Sequence, residues 1–253
     1  MIRSALLALA AVFVLSACSE DPVTPTPSDT SSYVVSTKGS YFIHDNVTVD
    51  ITAAGVTTDV PSPSDSTVVN GTVTHEGRTS IESIVFVNGT ATDSVYMAQT
   101  GSTVATAFPL QFKVLGLPAD FGVKWVNIFD ANATTWTALN DTIPSFTIGS
   151  GAQSYTGSAK LNFTGKQTGT ETITVDGKSV TAKKSEITMN ITLYLNFGAV
   201  IPVPIVLTQY YTFAPNIGMV RAEQVATVVN IVGVPPLAIP GFRTSLVRYA
   251  VAN

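Results

Sequence analysis

From Tyr33 onward, apolar and polar residues alternate with a period close to two. That spacing turns one side of a β-strand to a core and the other to water. The pattern is cleanest where Ile187, Met189, Ile191, Leu193, Leu195 and Phe197 alternate with Thr188, Asn190, Thr192, Tyr194 and Asn196. A long strand with a single dry face suits a strongly curved antiparallel sheet whose concave side must be filled. These six apolar residues are therefore the candidate apolar ligand face. Upstream, Val47, Val49 and Ile51 alternate with Thr48 and Asp50, and a Pro-Ser-Pro-Ser-Asp stretch at 61–65 reads as a loop. Runs at 67–75, 80–87, 90–98 and 104–115 follow, divided by Glu76-Gly77-Arg78, Asn88-Gly89 and Thr100-Gly101-Ser102. Asn-Gly here, and Asp176-Gly177 later, mark type I′ hairpins, whose two central residues need positive φ. Further strands are expected at 155–164, 171–175, 205–213, 219–232 and 242–251.

The middle of the chain is less regular. Residues 117–122 read as a loop or a single helical turn, and 130–139 as a short helix with Asp130 near its N-cap. Trp125 and Trp136 fall in this region and are expected to plug the open face of the sheet. The fold class is mainly β. One strongly curved antiparallel sheet of about ten strands is expected over 33–253, as a half-barrel or open barrel with one or two short helices. No internal repeat suggests a propeller or solenoid.

The N-terminus sets the compartment. Arg3 precedes an apolar run from Ala5 to Leu15, too short to span a bilayer and right for a secretory signal. The run ends in Leu15-Ser16-Ala17-Cys18, which resembles the bacterial lipobox. That resemblance implies a signal peptide over 1–17 and acylation of Cys18, palmitate being one such acyl group. About two acyl chains give stable membrane anchoring, so the expected site is the cell envelope, held by lipid to the outer membrane. Residues 18–32, rich in Pro, Ser and Thr, read as a flexible tether. Ser19-Glu20-Asp21 resembles the signal that sends some lipoproteins of the Bacteroidetes type to the cell surface. Acidic and polar residues are equally common in plain tethers, and both the periplasmic leaflet and the surface stay open. The later apolar stretches 199–207 and 231–242 are interrupted by Pro202, Pro204, Pro235, Pro236 and Pro240, so neither forms an ordinary spanning helix. Both read as apolar lips of the sheet.

Cys18 is the only cysteine, so no disulfide braces the fold. With 45% hydrophobic and 12% charged residues in 253, the core must suffice. A net charge of -4, with no basic patch, argues against nucleic acid. The C-terminal third adds a second resemblance. ETITVDGK at 171–178, the strand after it, and QYYTFAPNIGMVRAE at 209–223 resemble bacterial lipoproteins with an open LolA-like or DUF3108-like β half-barrel. Asp176 departs from that pattern, as does the Pro-rich insert at 199–207. The resemblance implies a concave sheet that in some members holds an acyl chain, and a motif turn marked by Tyr211, Phe213, Pro215 and Gly218. Pro would preset φ there, with Asn216 or Gly218 accepting positive φ.

Candidate chemistry is sparse. His44 has no partner nearby in sequence, and His75-Glu76 lacks the second His of a zinc-protease motif, so both read as strand-face residues. No nucleophile elbow, phosphate loop or EF-hand is present, and no metal or cofactor is expected. Asp45, Asp65, Asp93, Asp141 and Asp176 read as turn residues. Asn-x-Thr triplets at Asn46, Asn70, Asn88, Asn132, Asn140, Asn162 and Asn190 follow from an Asn- and Thr-rich β-protein. The leading expectation is a non-enzymatic, membrane-anchored β domain that holds a lipid or other apolar ligand, or docks an envelope protein. A surface structural or adhesion module without a ligand is the alternative, with a hydrolase third.

Overall fold

The computed structural model describes residues 28–114, 117–148, 155–196, 199–230 and 236–252. They hold fourteen strands and no helix: β1 (Tyr41–Ile51), β2 (Thr57–His75), β3 (Arg78–Val87), β4 (Thr90–Thr100), β5 (Thr103–Val114), β6 (Leu117–Asp130), β7 (Thr135–Ile148), β8 (Tyr155–Val175), β9 (Lys178–Asn196), β10 (Val200–Ala214), β11 (Gly218–Gln224), β12 (Thr227–Val229), β13 (Leu237–Ile239) and β14 (Gly241–Ala250). Twelve form one antiparallel sheet in the order β6-β5-β4-β3-β2-β1-β14-β11-β10-β9-β8-β7, while β12 and β13 pair as a small ribbon. The curved antiparallel sheet expected from the period-two pattern is therefore present. It is more complete than a half-barrel.

Its two edge strands, β6 and β7, are consecutive in the chain and meet through side chains. Lys124 Nζ lies 2.6 Å from Asp141 Oδ2. Trp136 Nε1 donates to the Asn127 carbonyl at 2.8 Å, and Phe121 and Phe146 pack edge to face at 4.7 Å. The result is a nearly closed barrel. Three two-residue turns lie where the sequence places them, with positive φ at Glu76 and Gly77, Asn88 and Gly89, and Asp176 and Gly177. The twist of such turns matches that of the flanking strands.

Several expectations are corrected. Residues 130–139 are not helical: β6 ends at Asp130 and β7 begins at Thr135. Asp130 still caps, because its Oδ1 accepts the backbone N–H groups of Asn132 at 2.9 Å and Ala133 at 3.1 Å. That is the hydrogen bonding of an N-cap, used to close a turn between strands. Residues 117–122 belong to β6. The stretch 61–65 is strand, inside β2, and 200–207 is the first half of β10 and not a lip. Pro misled in both places, since it is tolerated where a strand's N–H side has no partner. Pairing of β2 with β3 starts only at Asp65. That of β10 with β11 starts only at Gln209. Pro61, Pro63, Pro202 and Pro204 thus lie on unpaired margins, where they also block edge-to-edge association. Of the acids expected at turns, only Asp176 is in one; Asp45, Asp65, Asp93 and Asp141 are within strands.

The barrel is packed on its β8–β10 side. Ile187, Met189, Ile191, Leu193 and Leu195 are buried; Phe197 lies outside the described residues. Val126, Ile128 and Phe129 of β6 and Val203, Ile205 and Leu207 of β10 join them in one core. Polar side chains satisfy the carbonyls at the end of β6, as a buried backbone requires. Ser185 Oγ donates to Ile128 O at 2.8 Å, Gln167 Nε2 to Asp130 O at 2.7 Å, and Lys183 Nζ to Ala131 O at 3.0 Å.

Candidate functional site

Residues 28–35 run as a strap across the barrel, although 28–32 carry the composition of a tether. Asp29 anchors the strap. Its Oδ2 lies 2.6 Å from Lys183 Nζ and accepts the Tyr33 hydroxyl at 2.7 Å. The Lys183 ammonium holds the Asp29 carboxyl well below the usual range; burial opposes this, and hydrogen bonds from Tyr33 and Ser31 reinforce it. Tyr33 is fully buried, with its ring 4.7 Å from that of Phe129. Burial, and then Asp29, push its hydroxyl pKa upward. Gln99 clamps the strap from β4: Oε1 accepts the N–H groups of Tyr33 and Val34, and Nε2 donates to Ser31 O. On the other side, Asn216 N–H donates to Ser32 O at 2.7 Å.

The motif turn is therefore part of the strap's seat. Tyr211 and Phe213 are buried in the core, and both Asn216 and Gly218 take positive φ. Pro215 begins the turn after Ala214 ends β10. The Tyr211 hydroxyl donates to Gln209 Oε1 at 2.5 Å, and burial raises its pKa.

Beyond the strap, the inner wall of β1–β4 has a half-open concavity. Phe42, Val69, Ile81, Val95, Met97 and Met219 line it, and Tyr33 to Val35 form one rim. Cross-strand pairing sets these residues side by side: Val69 faces Ser83, Ser83 faces Val95, and Ile81 faces Met97. The volume of this concavity is about 100 Å³. That is well short of the ~300–1,000 Å³ typical of pockets for whole small molecules. It is nearer the ~150 Å³ cavity that admits a single benzene ring.

Besides Tyr33, whose hydroxyl is committed to Asp29, the titratable side chain in this lining is His44. His44 is 8% exposed, and its Nδ1 lies 2.9 Å from Asp65 Oδ1. Asn46 Nδ2 donates to Asp65 Oδ2 at 2.8 Å, and Thr244 Oγ1 donates to Asn46 Oδ1 at 2.8 Å. Burial pushes the Asp65 carboxyl up, but the hydrogen bonds from His44 and Asn46 outweigh it and leave its pKa below the usual range. An ionised carboxylate only accepts, so Nδ1 carries the proton and Nε2 is left for the concavity. The sequence gives no sign of this partnership, because Asp65 reaches His44 only through the β1–β2 register.

The other candidates are placed elsewhere. Cys18 lies outside the described residues. His75 stacks on Tyr96 at 3.6 Å. Trp125 alternates with the core residue Val126 and sits beneath the Arg78 guanidinium at 5.1 Å, so it does not plug the barrel. Trp136 does pack at the core margin. No group of three or more His, Cys, Asp or Glu is arranged for a metal among the described residues.

No family model matches the chain, and no curated protein matches it. Among solved structures, a candidate lipoprotein from Parabacteroides distasonis is similar at 16% identity and TM-score 0.46, over 88% of this chain and 100% of that one. A candidate exported protein with a YmcC-like fold from Bacteroides fragilis is similar at 15% identity and TM-score 0.36, over 87% of this chain and 99% of that one. Neither TM-score reaches 0.5, and nothing about the site follows from either protein. The LolA-like or DUF3108-like half-barrel has no counterpart in these comparisons.

Proposed function

We propose that this is a lipid-anchored protein of the bacterial cell envelope, without catalytic activity, whose barrel receives a compact apolar group on the inner wall of β1–β4. The lipobox-like sequence at Cys18 supports the anchor and the outer-membrane location. The observation that carries the binding role is the contrast between the two walls. The β8–β10 wall is filled by the chain itself, which removes the candidate ligand face at 187–195 from access, whereas the β1–β4 wall keeps an apolar opening. Concave apolar surface with a few polar groups, here His44, Thr67 and Ser83, is what a binding site requires. A void this small suits a ring or short branched chain, free or carried by an envelope partner, better than a whole acyl chain.

A hydrolase would need a hydroxyl positioned by the His44–Asp65 pair. Thr67 and Ser83 line the same concavity, but no hydrogen bond joins either hydroxyl to His44 among the described residues, and the pair is read as a recognition element. The binding role is tested by saturation-transfer NMR with toluene as probe. Transfer is expected to the wild-type protein and not to Val69→Trp, in which the indole fills the opening. Absence of transfer to the folded wild type refutes the role and leaves the alternative of a structural or adhesion module.

A further inference from the structure

We infer that His44 selects the ligand of this concavity: a neutral, ring-sized apolar group carrying one hydroxyl, with the imidazole Nε2 accepting the hydroxyl proton in a hydrogen bond. The inference rests on the binding role proposed above and adds the ligand's chemistry to it.

Three observations lead there. First, His44 is more than nine-tenths buried, lines the void, and has its Nδ1 committed to Asp65. In the neutral ring, Nε2 is then a lone-pair acceptor with no partner of its own among the described residues. A ligand O–H would give it a partner in place of solvent. Second, the chain Thr244, Asn46, Asp65, His44 fixes both the tautomer and the ring plane. An oriented acceptor loses little freedom when it binds, so it can discriminate. Third, charge excludes the obvious competitor. Among the described residues the lining contains no Lys or Arg, and Asp65, bonded to His44, has its carboxyl pKa lowered. A fatty acid carboxylate would bring a second negative charge into an apolar site with at most one imidazolium to balance both, and its desolvation would go uncompensated. A neutral hydroxyl brings none. The void of about 100 Å³ then limits the apolar body to roughly one ring. A phenolic group meets every condition, whether as a free small molecule or as a tyrosine side chain of a partner.

The test compares three probes that share a tolyl body on the folded domain at pH 8: 4-methylphenol, toluene and 4-methylbenzoate. Binding is followed by NMR, with the ¹⁵N resonances of the His44 ring as a direct reporter. The phenol is expected to bind about ten-fold more tightly than toluene, one hydrogen bond's worth of discrimination. It should also move the Nε2 resonance, while the carboxylate binds more weakly than either. In His44→Phe the phenol should fall to the affinity of toluene. Equal binding of phenol and toluene to the wild type, or an unmoved Nε2 resonance, overturns the inference while leaving the apolar cradle in place. Tightest binding by 4-methylbenzoate also overturns it, since the ring would then act as a cation. Failure of all three probes to bind removes the cradle and the inference together. The wild-type ¹⁵N measurement decides the matter even if His44→Phe does not fold. A capped Gly-Tyr-Gly peptide run alongside identifies the source: binding at the affinity of the free phenol points to a partner's tyrosine, and its absence beside phenol binding points to a small molecule.

Discussion

Tyr33 shows how one residue joins the N-terminal strap to the barrel. Its ring is fully buried beside Phe129, its hydroxyl donates to Asp29, and its N–H is held by Gln99. Tyr33→Ala is expected to cost about 3–5 kcal/mol, the range for removing a large buried aromatic ring. Tyr33→Phe should cost only about 1 kcal/mol, for one hydrogen bond. Urea denaturation of both variants measures the difference, and equal losses would show that the hydroxyl, not the ring, secures the strap. Period-two reading finds Tyr33 only as the place where alternation begins. Its burial depends on the strap crossing the barrel, which no local pattern encodes. His44 is the same case at the candidate site. Asp65 is 21 residues away, and only the antiparallel register of β1 and β2 makes them neighbours.

At the scale of elements, hairpins were the most legible feature and long strands the least. Asn-Gly and Asp-Gly marked turns because positive φ is cheap for those residues. The strands at 155–164 and 171–175 proved to be one strand, β8, with a register shift between Gln167 and Gly169. A bulge breaks alternation without ending pairing, so a strand reads as two. The β6–β7 seam relies on a small residue opposite a large one: Trp136 pairs with Gly165, and a Cβ there would overlap the indole. Gly165→Ala should therefore destabilise the protein by about 1–3 kcal/mol, the usual cost of overpacking. The indole should also leave the Asn127 carbonyl. Thermal unfolding together with Trp fluorescence checks both, and an unchanged melting temperature and emission would rule out this account of the seam.

For the whole molecule, acid sensitivity follows from the carboxylates that hold it together. Asp29, Asp65, Asp130 and Asp141 all have pKa values lowered by folding. The largest lowering contributions come from Lys183, His44, the Asn132 backbone N–H and Lys124 respectively, with burial opposing each. A carboxylate whose pKa is depressed by folding contributes stability that is complete above its unfolded pKa, and this is lost as pH falls through the folded value. Stability measured by urea titration should thus be level down to about pH 5 and decline steadily below about pH 4. In Asp29→Asn, with the best-held of these carboxyls gone, the decline should be shallower. An unchanged slope would show that the Asp29–Lys183 pair does not hold the strap.

The sequence by itself determined a mainly β chain, its antiparallel hairpins and the dry face of β9, and it carries a lipobox-like stretch ending at Cys18. Each rests on local chemistry: side-chain alternation, turn residues that accept positive φ, and a short apolar run ending in cysteine. Only the tertiary structure decided which wall of the barrel is filled and which is open, and that His44 meets Asp65. Those outcomes depend on sheet curvature and on contacts between residues far apart in the chain, where an apolar face looks the same whether a ligand or the protein itself covers it.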